Sequence, residues 1–263
     1  NIRGYKPNTH VHIGQLKRAI KMLSKAERPL FLVGGGVNIA HANQEFTAIA
    51  EKTNVPVVTT VMGRGAIPTN HPLYIGNVGM HGAYACNMAV NECDLLFSIG
   101  TRFNDRITGK LHSFAPKAQI VHIDIDTAAI SKNVQVDVPI VADAKEAVTR
   151  MLEYVTECET KDWMETIQSW KKEHPLAMKP RPIMTPQDII ETINRIFDEA
   201  IIVTDVWPAP DVCVSVCGNN RKEETFDVRR PWNHGIRTSG SHGQRSAIRI
   251  YLSSLFPVTA ESR

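Results

Sequence analysis

Short apolar runs alternating with amphipathic helical patterns constrain this chain more than any other feature in it. Leu30-Phe31-Leu32-Val33 leads straight into Gly34-Gly35-Gly36, and an unbroken apolar run closed by a glycine turn reads as a strand buried on both faces. Comparable runs lie at 57–60, 95–99, 120–123, 138–141 and 201–204. Helical spacing links Ile13, Leu16, Ala19, Ile20 and Leu23. It also links Ile39, Ala42, Phe46, Ile49 and Ala50, and then Ala144, Ala147, Val148, Met151, Leu152 and Val155 behind an N-cap at Asp143. Strands alternating with helices predict an α/β fold with a parallel sheet covered on both faces.

The six-strand unit is expected over about residues 6–157. A helix around Trp163, Ile167 and Trp170 follows, and the proline-rich stretch 175–186 reads as an interdomain linker. Thr185-Pro186-Gln187-Asp188 supplies the N-cap, first-turn proline and acid of a helix start, with Ile189, Ile190, Ile193, Ile196 and Phe197 as its apolar face. That helix and the run 201–204 open a second α/β domain, of which the sequence supplies only the beginning. After Val206 the composition changes. Residues 1–206 carry 13 Lys and 9 Arg, whereas the last 57 carry 1 Lys and 7 Arg and show neither helical nor strand periodicity.

Composition narrows the function classes. With 43% apolar residues in 263, the chain can bury a core, and a net charge of +3 leaves no basic footprint for nucleic acid or a membrane surface. No apolar run approaches the roughly 20 residues of a spanning helix, and Asn1-Ile2-Arg3-Gly4 opens no apolar signal region, so a soluble cytoplasmic protein is expected. Five scattered cysteines form no disulfide framework. A start at Asn1 rather than Met suggests a piece of a longer protein.

Several motifs carry chemistry. Gly34-Gly35-Gly36 lets backbone approach a phosphate, or makes an ordinary tight turn; it is not the G-x-G-x-x-G fingerprint. Gly79-Met80-His81-Gly82 precedes a helix through Cys86, Met88, Ala89 and Val90, and His81 either contacts a ligand or caps the turn. Cys86 and Cys93 on that helix read as core. Gly100-Thr101-Arg102-Phe103-Asn104-Asp105-Arg106-Ile107-Thr108-Gly109 follows a strand, at the sheet edge where such folds bind ligands. Its two arginines suit a diphosphate and an anionic substrate, or pair with acids on the surface. Asp124 and Asp126 end the next strand, where a carboxylate can hold a ribose hydroxyl. Cys213, Cys217, His234 and His242 fit no usual ligand spacing, so no metal site is expected.

The strings Gly79 to Gly82, Arg102 to Gly109, Phe114-Ala115-Pro116 and His122-Ile123-Asp124-Ile125-Asp126 together resemble the large, catalytic subunit of acetolactate synthase, a thiamine-diphosphate enzyme of branched-chain amino-acid synthesis. The resemblance covers the chain to Val206. It implies that 1–175 is the family's central domain, a Rossmann-like doubly wound parallel six-stranded sheet that binds FAD in a structural role. Residues 176–206 would then be the linker and the start of the thiamine-diphosphate-binding domain. Gly34, Gly35, Gly36, Thr60, Val61, Asp124, Ile125, Asp143 and Ala144 would take the adenine, ribose and diphosphate side. Met80, His81, Gly82, Gly100, Thr101, Arg102, Asn104 and Arg106 would line the diphosphate and flavin side. Met80 and Arg106 would also face the active site, with Arg106 meeting the carboxylate of the second 2-oxo acid. Most members carry Asp where this chain has Asn104.

The family reaction decarboxylates pyruvate on thiamine diphosphate and Mg2+ and passes the two-carbon unit to a second 2-oxo acid. The activating glutamate and the metal ligands belong to family domains outside this sequence, so the chain is expected to be inactive alone. The resemblance also implies a homo-oligomer and a small regulatory subunit. A non-catalytic nucleotide-binding or regulatory module, and a sister enzyme such as a carboligase or pyruvate oxidase, are the competing readings.

The family continues from Thr204-Asp205-Val206 into Gly-Gln-His-Gln-Met, where this chain has Trp207-Pro208-Ala209-Pro210-Asp211. Back-translation read one nucleotide later permits the family residues there. It also permits a glycine-rich string of the third domain across 230–242. Residues 207–263 are therefore expected to be an out-of-frame translation with no selected core, and so a disordered tail.

Overall fold

The computed structural model describes residues 9–176, 188, 191–192, 195–196, 201–203 and 247–249. The chain divides into two compact units, 1–175 and 176–263.

In the first unit α1 (Ile13–Leu23) precedes β1 (Pro29–Val33), α2 (Gly35–Ile39), α3 (Asn43–Thr53), β2 (Val57–Thr59) and β3 (Tyr74–Asn77). Then come α4 (Tyr84–Glu92), β4 (Leu95–Ile99), α5 (Asp105–Thr108), β5 (Gln119–Asp124), β6 (Val138–Val141), α6 (Ala144–Tyr154) and α7 (Lys161–Glu173). The six strands form one sheet in the order β3-β2-β1-β4-β5-β6, with every pair parallel. It is the doubly wound arrangement, and the direction of winding reverses between β1 and β4.

Alternation along each strand splits the apolar residues between two cores. Phe31 and Val33 of β1, Phe97 of β4 and Ile123 of β5 join Leu16, Phe46 and Met151 of α1, α3 and α6 on one face. There Phe31 meets Phe46 and Phe97 edge-on, each at 5.6 Å between ring centres. Leu30, Leu32, Leu96 and Ile120 face the other way, against Ala85, Cys86 and Ala89 of α4 and Trp163 and Ile167 of α7. The buried Trp163 donates its indole N–H to the Pro29 carbonyl at 3.1 Å, which pins α7 to the start of β1. Asp143 caps α6 as expected, its Oδ1 accepting from the Lys145 and Glu146 N–H groups at 2.9 and 3.2 Å.

Two elements depart from the expectation. The sixth strand of the sheet is β3, which has no apolar run: its Gly76 lies at φ +147° and burial alternates along it, as on a sheet edge. The helical pattern from Ile39 to Ala50 is two helices. Asn38 breaks it by donating its amide to the Met62 and Arg64 carbonyls at 2.9 and 2.8 Å, and Asn43 adds bonds to Asn38 Oδ1 and the Gly65 carbonyl. The chain turns between them through His41 at φ +53°. Ile39, expected on a core face, is consequently 80% exposed.

In the second unit residues 188, 191–192 and 195–196 are helical, and β7 (Ile201–Val203) pairs in parallel with β8 (Ala247–Arg249), Ile201 opposite Ala247. The linker, the Thr185 helix start and the tail apart from Ala247–Arg249 lie outside the described residues.

Candidate functional site

Where the winding reverses, three loops leave the carboxyl ends of β1, β2 and β4 and meet at backbone distance. The Gly34 and Gly36 N–H groups donate to the Ile99 and Gly100 carbonyls at 2.9 and 3.1 Å. A Cβ on Gly34 would collide with the Gly100 carbonyl, and one on Gly63 with the Val33 carbonyl. Gly100 sits at φ +62°, and its N–H reaches the Ile123 carbonyl at 2.8 Å. The glycines therefore serve close packing of loops first. The helix behind them is only five residues long, and the Gly36 N–H is already used, so what the glycine turn offers a ligand is a bare backbone floor.

Above this floor opens a cavity of about 690 Å³, at the crevice where sheets of this topology take ligands. Its wall brings together Gly34, Gly35, Gly36, Thr60, Val61, Gly100, Thr101, Arg102, Asn104, Arg106, Asp124, Ile125, Asp143 and Ala144. Thr60 shapes the β2 end by accepting at Oγ1 from the Gly63 N–H, at 3.1 Å. Asp124 is buried and accepts the Asp126 N–H at 2.9 Å, while Asp126 in turn accepts from the Ala128 N–H.

Met80, His81 and Gly82 stand outside that wall, on the loop between β3 and α4. Met80 is joined to it through Arg106: the Met80 N–H donates to the Arg106 carbonyl at 2.9 Å, and the Arg106 guanidinium lies 3.7 Å from the Met80 sulfur. His81 is exposed.

The charges at the mouth are the informative feature. Arg102 and Arg106 are exposed, and among the described residues neither they nor Asp105 form an ion pair. The reading of a salt-bridged surface loop finds no support among the described residues. Ile39, Met62 and Ile125 add exposed apolar surface to the same cavity. Sequence reasoning missed Ile39 and Met62, because an exposed isoleucine or methionine carries no signal until the loops that expose it are known.

Cys86 and Cys93 are fully buried, and desolvation pushes both thiols up, Cys86 to about 12. They are core residues. Among the described residues no cluster of three His, Cys, Asp or Glu side chains could hold a metal ion, and no helix is long and apolar enough to cross a membrane.

The family described as thiamine pyrophosphate enzyme, central domain, matches residues 16–151. The chain belongs to this family. Its six-stranded parallel sheet is that central domain. The chain is 46% identical over 217 residues to a probable acetolactate synthase large subunit of Methanocaldococcus jannaschii, a match covering 78% of the chain and 37% of that protein. It is 45% identical over 222 residues to a probable acetolactate synthase large subunit of Methanococcus aeolicus, covering 77% and 37%. An acetolactate synthase of Mycobacterium bovis is 41% identical over 212 residues, covering 77% and 34%. The resemblance drawn from the motifs is borne out. The matched region spans little more than a third of these relatives.

Proposed function

We propose that this chain is the FAD-binding central domain of an acetolactate synthase large subunit, and that the cavity beyond β1 and β4 holds the flavin dinucleotide. The observation that carries the reading is a pair of guanidinium groups, without ion pairs among the described residues, over a backbone floor, which suits a diphosphate flanked by two ring systems. The glycines support it by shaping the floor: Cβ atoms at Gly34 and Gly36 would press on the Gly100 backbone and force apart the loops that form it. Asp124 is placed to accept from ribose hydroxyls, and Ile39, Met62 and Ile125 offer apolar surface to a ring. Asp143, Ala144, Thr60 and Val61 line the same cavity, and the reading gives them to its adenine, ribose and diphosphate side.

In the whole enzyme, thiamine diphosphate with Mg2+ supplies the decarboxylation of pyruvate and the transfer of its two-carbon unit to a second 2-oxo acid. This chain's part is to bind and orient. Arg106, with Met80 against its guanidinium, presents a cation to a 2-oxo-acid carboxylate, while the flavin stabilises the domain without redox turnover. By the family resemblance the activating glutamate and the metal ligands belong to other domains of the enzyme, and the chemistry is assigned to them acting with this one. Residues 176–206 begin the next domain and 207–263 are the out-of-frame remainder; oligomerisation, a regulatory subunit and a cytoplasmic setting follow from the same assignment.

The test is the visible absorbance of the purified full chain, with and without added FAD. Co-purifying flavin, or saturable uptake, is the expected result. A chain that is folded by circular dichroism and takes up no FAD would overturn the assignment of the cavity.

A further inference from the structure

The segment from the end of β4 into α5 carries Arg102, Asn104 and Arg106, and its backbone is strained. Gly100 lies at φ +62° and Phe103 at φ +36°, a left-handed conformation that a bulky residue adopts only under constraint. The constraint comes from outside the loop. His122 of β5 is completely buried, with Nε2 at 2.7 Å from the Thr101 carbonyl oxygen. A carbonyl only accepts, so Nε2 carries the hydrogen and donates it. Asn133, in the turn after β5, donates its amide N–H to the Phe103 carbonyl at 2.8 Å. Between these two bonds the Phe103 ring packs edge-on against the His122 imidazole at 4.8 Å and against Phe114 at 5.8 Å.

Packing alone does not explain a histidine here. Among the described residues its Nδ1 has no hydrogen-bond partner, and neither has the hydroxyl of Ser98, opposite it in the β4–β5 register. Burying an unpaired polar atom is unfavourable, and a phenylalanine would fill the same space without that loss. What histidine adds is the donor to Thr101, with the Asp124 carboxylate 3.7 Å from the same Nε2.

We propose that His122 and Asn133 are positioning residues: by donating to the Thr101 and Phe103 carbonyls they hold the strained turn that brings Arg102, Asn104 and Arg106 to the cavity mouth, ready for a dinucleotide diphosphate. The identity of the ligand rests on the flavin reading above; the constraint on the loop does not.

The experiment compares the full chain with His122→Phe, His122→Gln and Asn133→Ala, reading amide hydrogen exchange over 101–106 and FAD affinity by flavin fluorescence. H122F and N133A should raise exchange in that loop at least tenfold while β1 and β4 stay protected, and should weaken FAD binding at least tenfold. H122Q places an amide N–H near the Nε2 position and should restore both to within threefold. Unchanged loop exchange in H122F and N133A overturns the proposal, as does a loosened loop with undiminished FAD affinity or a failure of H122Q to restore. If H122F does not fold, N133A decides, because Asn133 is exposed. A wild-type chain that binds no FAD sinks the flavin reading, and loop exchange still decides the positioning role.

Discussion

Gly36 and Gly100 pack backbone against backbone: the Gly36 N–H donates to the Gly100 carbonyl at 3.1 Å, and a Cβ added to Gly100 would lie 2.6 Å from the Gly36 Cα. Gly100 also lies at φ +62°, so an alanine there meets both a backbone penalty and a collision. The positive φ alone should cost about 1–2 kcal/mol. Forced separation of the loops should add about 1–3 kcal/mol. Urea denaturation of Gly100→Ala checks this, and a loss of no more than about 2 kcal/mol would show that the close approach does not matter.

The buried Cys86 thiol gives the stability a dependence on alkaline pH. Burial raises it from 9.0 to about 12, so between those values the folded chain keeps a proton that the unfolded chain has released. The unfolded state then binds fewer protons, and stability falls as pH rises. This contribution is intact below about pH 9 and declines towards about 12, at up to about 1.4 kcal/mol per unit. Lysines and tyrosines titrate there too, so the test is the difference between the chain and Cys86→Ala. Urea midpoints from pH 8 to 10.5 should fall less steeply for the variant. Parallel slopes would remove Cys86 from the account.

Trp163 ties α7 to the sheet by both area and a hydrogen bond: it is buried against the second core, stacks edge-on with Trp170 at 5.8 Å and donates to Pro29. Trp163→Ala should cost about 3–5 kcal/mol. Trp163→Phe keeps most of the apolar contact and leaves a buried carbonyl unpaired, so it should cost about 1–3 kcal/mol. Thermal melts order the two variants, and a phenylalanine variant as unstable as the alanine one would mean that the hydrogen bond dominates.

The parts of this fold that were legible in the sequence are those whose signal is local. Phe31 and Val33 against Leu30 and Leu32 announce a strand buried on both faces, because a parallel sheet under two helical layers leaves neither face polar. The Asp143 cap and the α6 stripe were equally local. β3 was not: Tyr74-Ile75-Gly76-Asn77 is an edge strand held by pairing with β2, and a Gly in four residues hides it from any periodicity. The break at Ala40 was hidden as well, since it depends on Asn38 reaching carbonyls 24 and 26 residues away.

The site divides the same way. Glycines and arginines at strand ends are visible as residue types, but whether an arginine is paired depends on which acids the fold brings near it. Glu45, Glu92 and Glu146 all found cationic or histidine partners elsewhere, which leaves Arg102 without an ion pair among the described residues. His122 was read only as part of a motif string. Its contact to Thr101 joins β5 to the loop after β4, a relation no spacing rule describes.

Because Arg102 is exposed and makes no ion pair among the described residues, stability and binding should separate at that position. Arg102→Ala should leave the urea midpoint within about 0.5 kcal/mol, as surface changes away from buried features do. It should weaken FAD binding by roughly tenfold, about 1.4 kcal/mol, the scale of one charge-assisted hydrogen bond to a phosphate oxygen. Arg102→Lys keeps the charge but loses the planar fork, so it should recover part of the loss at low salt and less at high salt, where a point charge is screened. Fluorescence titration of the three chains at two ionic strengths measures this. An alanine variant that binds FAD as tightly as the parent would place the diphosphate elsewhere and leave Arg106 as the cation at the mouth.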